Sequence, residues 1–135
     1  MFAATARLRR AYEATAYGVR WRGRDLVLRI GARPPSLPWG SARLAWFLTA
    51  SNPRSRLYSA AANCRAGRRL VRVVRCQGWR ALPVLAGGDA GDWPEEAGLL
   101  VIGPAARAAA ALGRRFRQNA ILHVSCRTVA LFPLN

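Results

Sequence analysis

Residues 43–53 read RLAWFLTASNP, and the reading of this stretch decides the fold. Leu44, Trp46 and Leu48 alternate with Ala45 and Phe47, so an extended segment over 43–50 is apolar on both sides, as a buried strand is. Asn52-Pro53 then reads as a helix start: Asn can cap free backbone N–H groups, and Pro fits the first helical position. This helix is expected to run to about Gln77 and to stop at Gly78, a residue suited to the left-handed conformation after a helix end.

Working downstream, Ala60, Cys64, Gly67, Leu70, Val71 and Val74 fall on one face of that helix, and Arg65, Arg68, Arg69, Arg72 and Arg75 on another. Strands are expected over 79–85 and 99–102, with an acidic glycine-containing loop between them. Pro104 opens a second helix whose core stripe is Ala105, Ala108, Ala109, Leu112 and Phe116, and strands over 119–124 and 127–132 finish the chain. From 43 to 124 the order strand, helix, strand, strand, helix, strand predicts an α+β fold with a ferredoxin-like βαββαβ core. Upstream lie a helix over 3–15, with Leu8, Ala11, Tyr12 and Thr15 on one face, and a β-hairpin of 17–21 and 26–30 turning through Arg22-Gly23-Arg24-Asp25. Pro34, Pro35 and Pro38 make the next stretch a connector. We expect a single domain over 1–135, in which 43–132 is the core and 1–42 an addition.

Composition narrows the function classes. All 22 basic residues are arginine, against six carboxylates, for a net charge of +16. Arginine in place of lysine reflects nucleotide composition, but the shortage of acids does not, and it favours a polyanionic partner such as nucleic acid or a phosphate-bearing ligand. No segment is long and apolar enough to span a bilayer, and the N-terminus does not read as a signal peptide, so no membrane association is expected. Cys64, Cys76 and Cys126 are an odd number without metal-ligand spacing, which suggests a reduced, cytoplasmic protein. No phosphate loop, zinc spacing, nucleophile elbow or dinucleotide fingerprint is present, so no cofactor and no metal are expected. His123 has no acid or thiol placed near it by spacing.

Four of the six carboxylates, Asp89, Asp92, Glu95 and Glu96, sit in the loop after Gly87-Gly88. In the expected topology the first and second core strands end at the same rim, and the second helix returns there. Segments 49–53, 88–96 and 114–119 then converge, bringing Thr49, Asn52, Trp93, Glu95, Glu96, Gln118 and Asn119 together. Asn63, on the apolar face of the long helix, either ties down a neighbouring loop or reaches a ligand at the rim. The helix start at Asn52-Pro53, with Arg54 and Arg56 in its first turn, has the form of an anion site or of a simple cap. Glu95 and Glu96 are adjacent, so in an extended segment they point apart and at most one faces a site as a general base; ion pairing with Arg114, Arg115 or Arg117 is the alternative.

Tyr12 with Thr15-Ala16-Tyr17, then Thr49-Ala50-Ser51-Asn52-Pro53-Arg54-Ser55, Asn63, Trp93-Pro94-Glu95-Glu96 and Phe116-Arg117-Gln118-Asn119-Ala120 carry a resemblance. In these motifs the chain resembles a bacterial family of small proteins known as domain of unknown function 3293. The likeness runs from about Tyr12 to Leu131, with departures at Ala97, where serine is expected, and at Arg117, where glycine is expected. It implies a bacterial, cytoplasmic, stand-alone domain and supplies no substrate. The candidate ligand-binding residues in the converging segments and these motifs are Thr49, Asn52, Ser55, Asn63, Trp93, Gln118 and Asn119. Two function classes follow from the residues. One is a binding module for nucleic acid or a phosphate-bearing ligand, using Arg65, Arg68, Arg69, Arg72 and Arg75. The other is a small enzyme with Glu95 or Glu96 as general base; a structural or partner-binding protein is a third.

Overall fold

A computed structural model describes residues 6–40, 44–88 and 94–134. Among them, α1 (Ala6–Glu13), β1 (Thr15–Trp21) and β2 (Arg24–Leu28) come first. Then follow β3 (Ala45–Leu48), α2 (Ala60–Cys76), β4 (Arg80–Gly88), β5 (Glu96–Ile102), α3 (Ala106–Arg115), β6 (Ala120–Val124) and β7 (Val129–Pro133). The strands form one seven-stranded sheet in the order β2-β1-β4-β5-β3-β6-β7, every neighbouring pair antiparallel, so the fold is α+β.

The strand read from 43–50 lies inside this sheet, paired on one side with β5 and on the other with β6. Its four residues, Ala45 to Leu48, are all buried, and successive side chains enter opposite cores. Trp46 and Leu48 join Leu70 and Val74 of α2, Leu112 of α3 and Val101 of β5. Ala45 and Phe47 join Tyr17, Val84 and Leu100 on the other face, together with Trp39 from the connector. Gly98 permits the close approach of β5 to β3: a Cβ there would stand 2.7 Å from Phe47 Cε1 and 2.8 Å from the Leu48 carbonyl. His123, on β6, lays its ring against Trp46, with centroids 4.5 Å apart.

The hairpin extends the sheet at the β4 edge, where Thr15 faces Gly88 and Val19 faces Val84, while β7 extends it at the β6 edge. Its turn is shorter than the four residues expected. Only Arg22 and Gly23 form it, at φ 47° and 79°, the left-handed pair that suits the twist of a two-residue hairpin. Arg24 and Asp25 already pair with Trp21 and Arg20.

Three further expectations are corrected. First, no helix starts at Asn52-Pro53. Pro53–Ser55 is a single 3-10 turn, Arg54 and Ser55 sit at φ 57° and 58°, and left-handed residues cannot propagate a right-handed helix. The helix begins at Ala60, capped by the Ser59 hydroxyl, which accepts from the Ala62 N–H at 3.1 Å. Second, the expected helix stripes hold only in part: Leu70 and Val74 in α2, and Ala109, Leu112 and Phe116 in and just after α3, are buried as expected, but the N-terminal members are not. In α2 the buried residues are Ala66, Leu70 and Val74, whereas Ala60 and Cys64 are exposed; in α3 they are Ala109, Ala110, Leu112 and Gly113, and Ala105 is exposed. Third, β4 and β5 are longer than expected, paired from Arg80↔Ile102 to Ala86↔Glu96, so Glu96 is a strand residue and not part of the loop. Trp93, Asp89 and Asp92 lie outside the described residues.

Candidate functional site

Where β3 ends, the chain has to turn away from the sheet with its backbone polar groups buried, and segment 49–55 meets that demand with short polar side chains. The Thr49 hydroxyl donates to the Ala97 carbonyl at 2.7 Å and accepts from the Ser51 N–H at 3.0 Å. Asn52 is 4% exposed and left-handed at φ 47°, a conformation that Asn tolerates better than other side chains. Its backbone N–H donates to Asn63 Oδ1 at 2.9 Å, and Asn63 Nδ2 donates back to Asn52 Oδ1 at 3.0 Å. The same Oδ1 accepts from the Tyr58 N–H at 2.9 Å, and Asn52 Nδ2 donates to Glu96 Oε2 at 2.7 Å. One buried side chain therefore joins the end of β3, the first turn of α2, the start of β5 and the segment leading into α2.

The α3–β6 corner closes the network from the other side. Arg117, at φ 56°, follows the helix in the left-handed position; its N–H returns to the Arg114 carbonyl and that of Gln118 to the Gly113 carbonyl. This is the Schellman arrangement in which glycine is favoured, and it gives a physical reason for glycine at 117. The Arg117 carbonyl accepts from the Arg54 N–H at 2.8 Å. Gln118, 6% exposed, donates to the Ser51 carbonyl at 3.2 Å, and Asn119 Nδ2 donates to Ser55 Oγ at 2.9 Å. The N–H groups proposed as an anion site at Asn52-Pro53 are thus engaged by the protein itself: that of Asn52 by Asn63, that of Arg54 by Arg117.

Thr49, Asn52, Ser55, Asn63, Glu96, Gln118 and Asn119 are therefore brought together, and Glu95 goes elsewhere. Its carboxylate lies beside Gly87, where an added Cβ would meet Glu95 Oε2 at 3.2 Å. It lines a shallow depression with Gly18, Val27 and Leu85 on the sheet. Arg114 directs its Nε–H to the Leu134 carbonyl rather than to a carboxylate. Two tyrosines complete the cluster around Glu96. Burial, reinforced by the Glu96 carboxylate, pushes the Tyr12 phenol up to about 12, against a weaker lowering by its hydrogen bond with Ser55. The Tyr17 phenol is likewise raised, by burial first and then by Tyr12, and its hydroxyl donates to the Tyr12 carbonyl at 3.5 Å. Sequence reasoning left both out of the site, because only the pairing of β1 with β4 brings them to Glu96. Chemically the cluster can hold a carboxylate in a fixed orientation beside phenols that stay protonated at neutral pH.

The arginines of α2 are a different kind of surface. Arg65, Arg68, Arg69, Arg72 and Arg75 are all exposed. Among the described residues, Arg9 pairs with Glu13 at 3.1 Å and Arg20 with Asp25 at 3.0 Å, and no carboxylate pairs with an arginine of α2. Beside this face runs a groove of about 600 Å³, between α2, segment 50–58 and the end of α3. Arg69, Arg72, Arg115 and Arg117 line it, with Tyr58 and Phe116. Sequence reasoning missed Tyr58 because it placed that residue inside a helix. Among the described residues no group of three or more His, Cys, Asp or Glu is placed to hold a metal ion, and no helix is long and apolar enough to cross a membrane.

The model of one protein family, described as Protein of unknown function (DUF3293), matches residues 48–121. That span runs from the end of β3 through the amide network and the arginine face to the start of β6. No curated protein and no solved structure matches the chain. With more than half of its length matched, the chain belongs to the DUF3293 family.

Proposed function

We propose that this member of the DUF3293 family binds polyanions, nucleic acid or another phosphate-bearing ligand, through the arginine face of α2. The observation that carries this reading is the set of five exposed α2 arginines to which the described residues offer no carboxylate. Like charges on one helix repel each other, so such a face is favoured when an outside anion neutralises it. In this reading the amide network is the support that holds segment 49–59 against α2, and the chain acts without a cofactor. The free cysteines Cys64, Cys76 and Cys126 are in keeping with a cytoplasmic setting. We also read the unit from β3 to β6 as a ferredoxin-like core, which the spatial order β4-β5-β3-β6 supports.

Binding of a random-sequence oligonucleotide, titrated at several salt concentrations, tests this reading. The logarithm of the binding constant is expected to fall with the logarithm of salt at a slope of about −3, the value for four to five phosphate contacts with a single strand. Arg68→Glu with Arg72→Glu should remove most of the affinity. No binding at low salt, or binding indifferent to those two changes, defeats the proposal.

A second reading, a small enzyme with Glu96 as general base, is favoured by one observation: Glu96 Oε2 is oriented by Asn52 Nδ2 beside the half-buried phenol of Tyr12 and the buried one of Tyr17. Glu96→Gln separates the two. As part of a supporting network the change lowers stability and spares oligonucleotide binding; as a catalytic base it leaves the fold intact and abolishes turnover.

A further inference from the structure

The groove beside α2 has more in it than charge. Its floor is apolar, formed by Ala50, Pro53, Ala66 and Val73 with the nearly buried ring of Phe116, and among the described residues no carboxylate lines it. Four arginines line it: Arg69, Arg72, Arg115 and Arg117. At its wall stands Tyr58, 47% exposed although it is a large aromatic residue. Tyr58 does not dangle there: its backbone N–H is held at 2.9 Å by Asn52 Oδ1, itself fixed by Asn63 and Glu96. The network thus fixes the backbone of an exposed ring beside a set of cations. Arg117 points the same way. It stands at φ 56°, where a side chain other than glycine or asparagine is disfavoured, and the side chain it keeps there is a cation lining the groove.

We infer that this groove takes single-stranded nucleic acid, one base stacking on Tyr58 while Arg69, Arg72, Arg115 and Arg117 hold the flanking phosphates; the inference rests on the polyanion reading above. A charged face alone does not distinguish one polyanion from another, because phosphate contacts carry no information about base or strand. An exposed ring beside an apolar floor does distinguish them, since only an unpaired strand has base faces free to stack on it. A single nucleotide would fill the groove but leave Arg65, Arg68 and Arg75 unused, whereas a strand leaving it can follow α2 for the roughly 15 Å between Arg65 and Arg75. DNA and RNA single strands share this chemistry.

The test compares a twelve-residue oligothymidylate, a twelve-residue oligouridylate and a DNA duplex of the same length, at one salt concentration, on the wild type, Tyr58→Ala and Tyr58→Phe. The wild type is expected to bind at least one single strand more tightly than the duplex. Tyr58→Ala should weaken that single strand about tenfold, the typical loss of one base–aromatic stack, and leave the duplex unchanged, while Tyr58→Phe retains wild-type affinity. An effect confined to one oligonucleotide identifies the preferred strand, distinguished by its sugar or by the C5 methyl of thymine, and upholds the inference. Equal weakening of single strand and duplex, or no effect of Tyr58→Ala on either single strand, overturns it. In both of those cases salt-sensitive binding lost with Arg68→Glu and Arg72→Glu keeps the polyanion reading standing. Absence of binding by every probe at low salt overturns both.

Discussion

The rim network and the arginine groove share segment 49–58 and are built on opposite principles. In the network, Asn52, Asn63, Gln118 and Asn119 bond one another, the backbone and the Ser55 hydroxyl at 2.9–3.2 Å, and Glu96 is tied in through Asn52 at 2.7 Å. In the groove, Arg69, Arg72, Arg115 and Arg117 face solvent, and among the described residues none of them reaches a carboxylate. Polar groups satisfied inside the protein stabilise it, because removing one leaves its partners buried and unpaired. Cations left without a partner contribute little to folding and are available to something else. The contrast predicts that substitutions in the first region change stability, and that substitutions in the second change binding.

The largest effect on stability is expected from Asn52→Ala. It strands the Tyr58 N–H and Asn63 Nδ2, removes one hydrogen bond from Glu96 Oε2, and leaves alanine in a left-handed conformation. Denaturant unfolding should register a loss of about 3 kcal/mol or more, from partners worth roughly 1–3 kcal/mol each. A loss below about 1 kcal/mol would mean that the network is already open to water and would break the contrast at its stronger end.

Alkaline titration sharpens the comparison with a smaller effect. The folded state holds the Tyr12 proton up to about 12, whereas the unfolded chain releases it near the ordinary 10.0. The folded state therefore keeps its full stability below pH 10 and loses it as the pH climbs towards 12. The arginines stay charged over this range, so the change reports on the network and not on the groove. Tyr12→Phe should make the denaturant midpoint less steep in pH across that window, the Tyr17 phenol accounting for the part that remains. An unaltered slope would place Tyr12 in contact with water.

The smallest effect belongs to Arg117→Gly, which relieves the left-handed strain and should stabilise the fold by about 0.5–1 kcal/mol. It also removes one cation from the groove, so the salt slope of oligonucleotide binding should become shallower by about 0.7. A gain in stability without a change in slope would take Arg117 out of the binding surface.

How much of this was legible in the sequence depends on how local the deciding interaction is. The alternation in 43–50 identifies a buried strand, because a strand apolar on both sides has few other places to go, and β3 lies inside the sheet. Asn52-Pro53 misleads for a physical reason. The same two residues that open a helix also suit a left-handed residue followed by a tight turn. The choice is made by distant groups, Asn63 on the Asn52 N–H and the Arg117 carbonyl on that of Arg54. That one error moved Tyr58 into a helix and hid it. The buried face of α2 was legible at Leu70 and Val74 but not in the first turns, where Ala60, Cys64, Ala66 and Gly67 are all small and little in composition separates buried from exposed. The five arginines announced their exposure directly. The convergence of segments 49–53 and 114–119 on Glu96 followed from strand direction alone. The place of Tyr12 and Tyr17 did not, since the edge a hairpin joins is decided by packing rather than by its own sequence.

One crossed measurement bears on the central claim most directly: melting temperature and oligonucleotide affinity at low salt, both determined on Asn63→Ala and on the pair Arg68→Glu with Arg72→Glu. Asn63→Ala, which orphans the Asn52 N–H and removes one of the two donors to Asn52 Oδ1, is expected to lower stability by about 1–3 kcal/mol while duplex binding below its melting temperature persists. The arginine pair is expected to melt within a degree or two of the wild type and to lose most of its binding even at low salt. The opposite pattern, with arginine reversal unfolding the protein or leaving affinity intact while Asn63→Ala abolishes binding without loss of stability, would contradict the account and move the binding site to the rim.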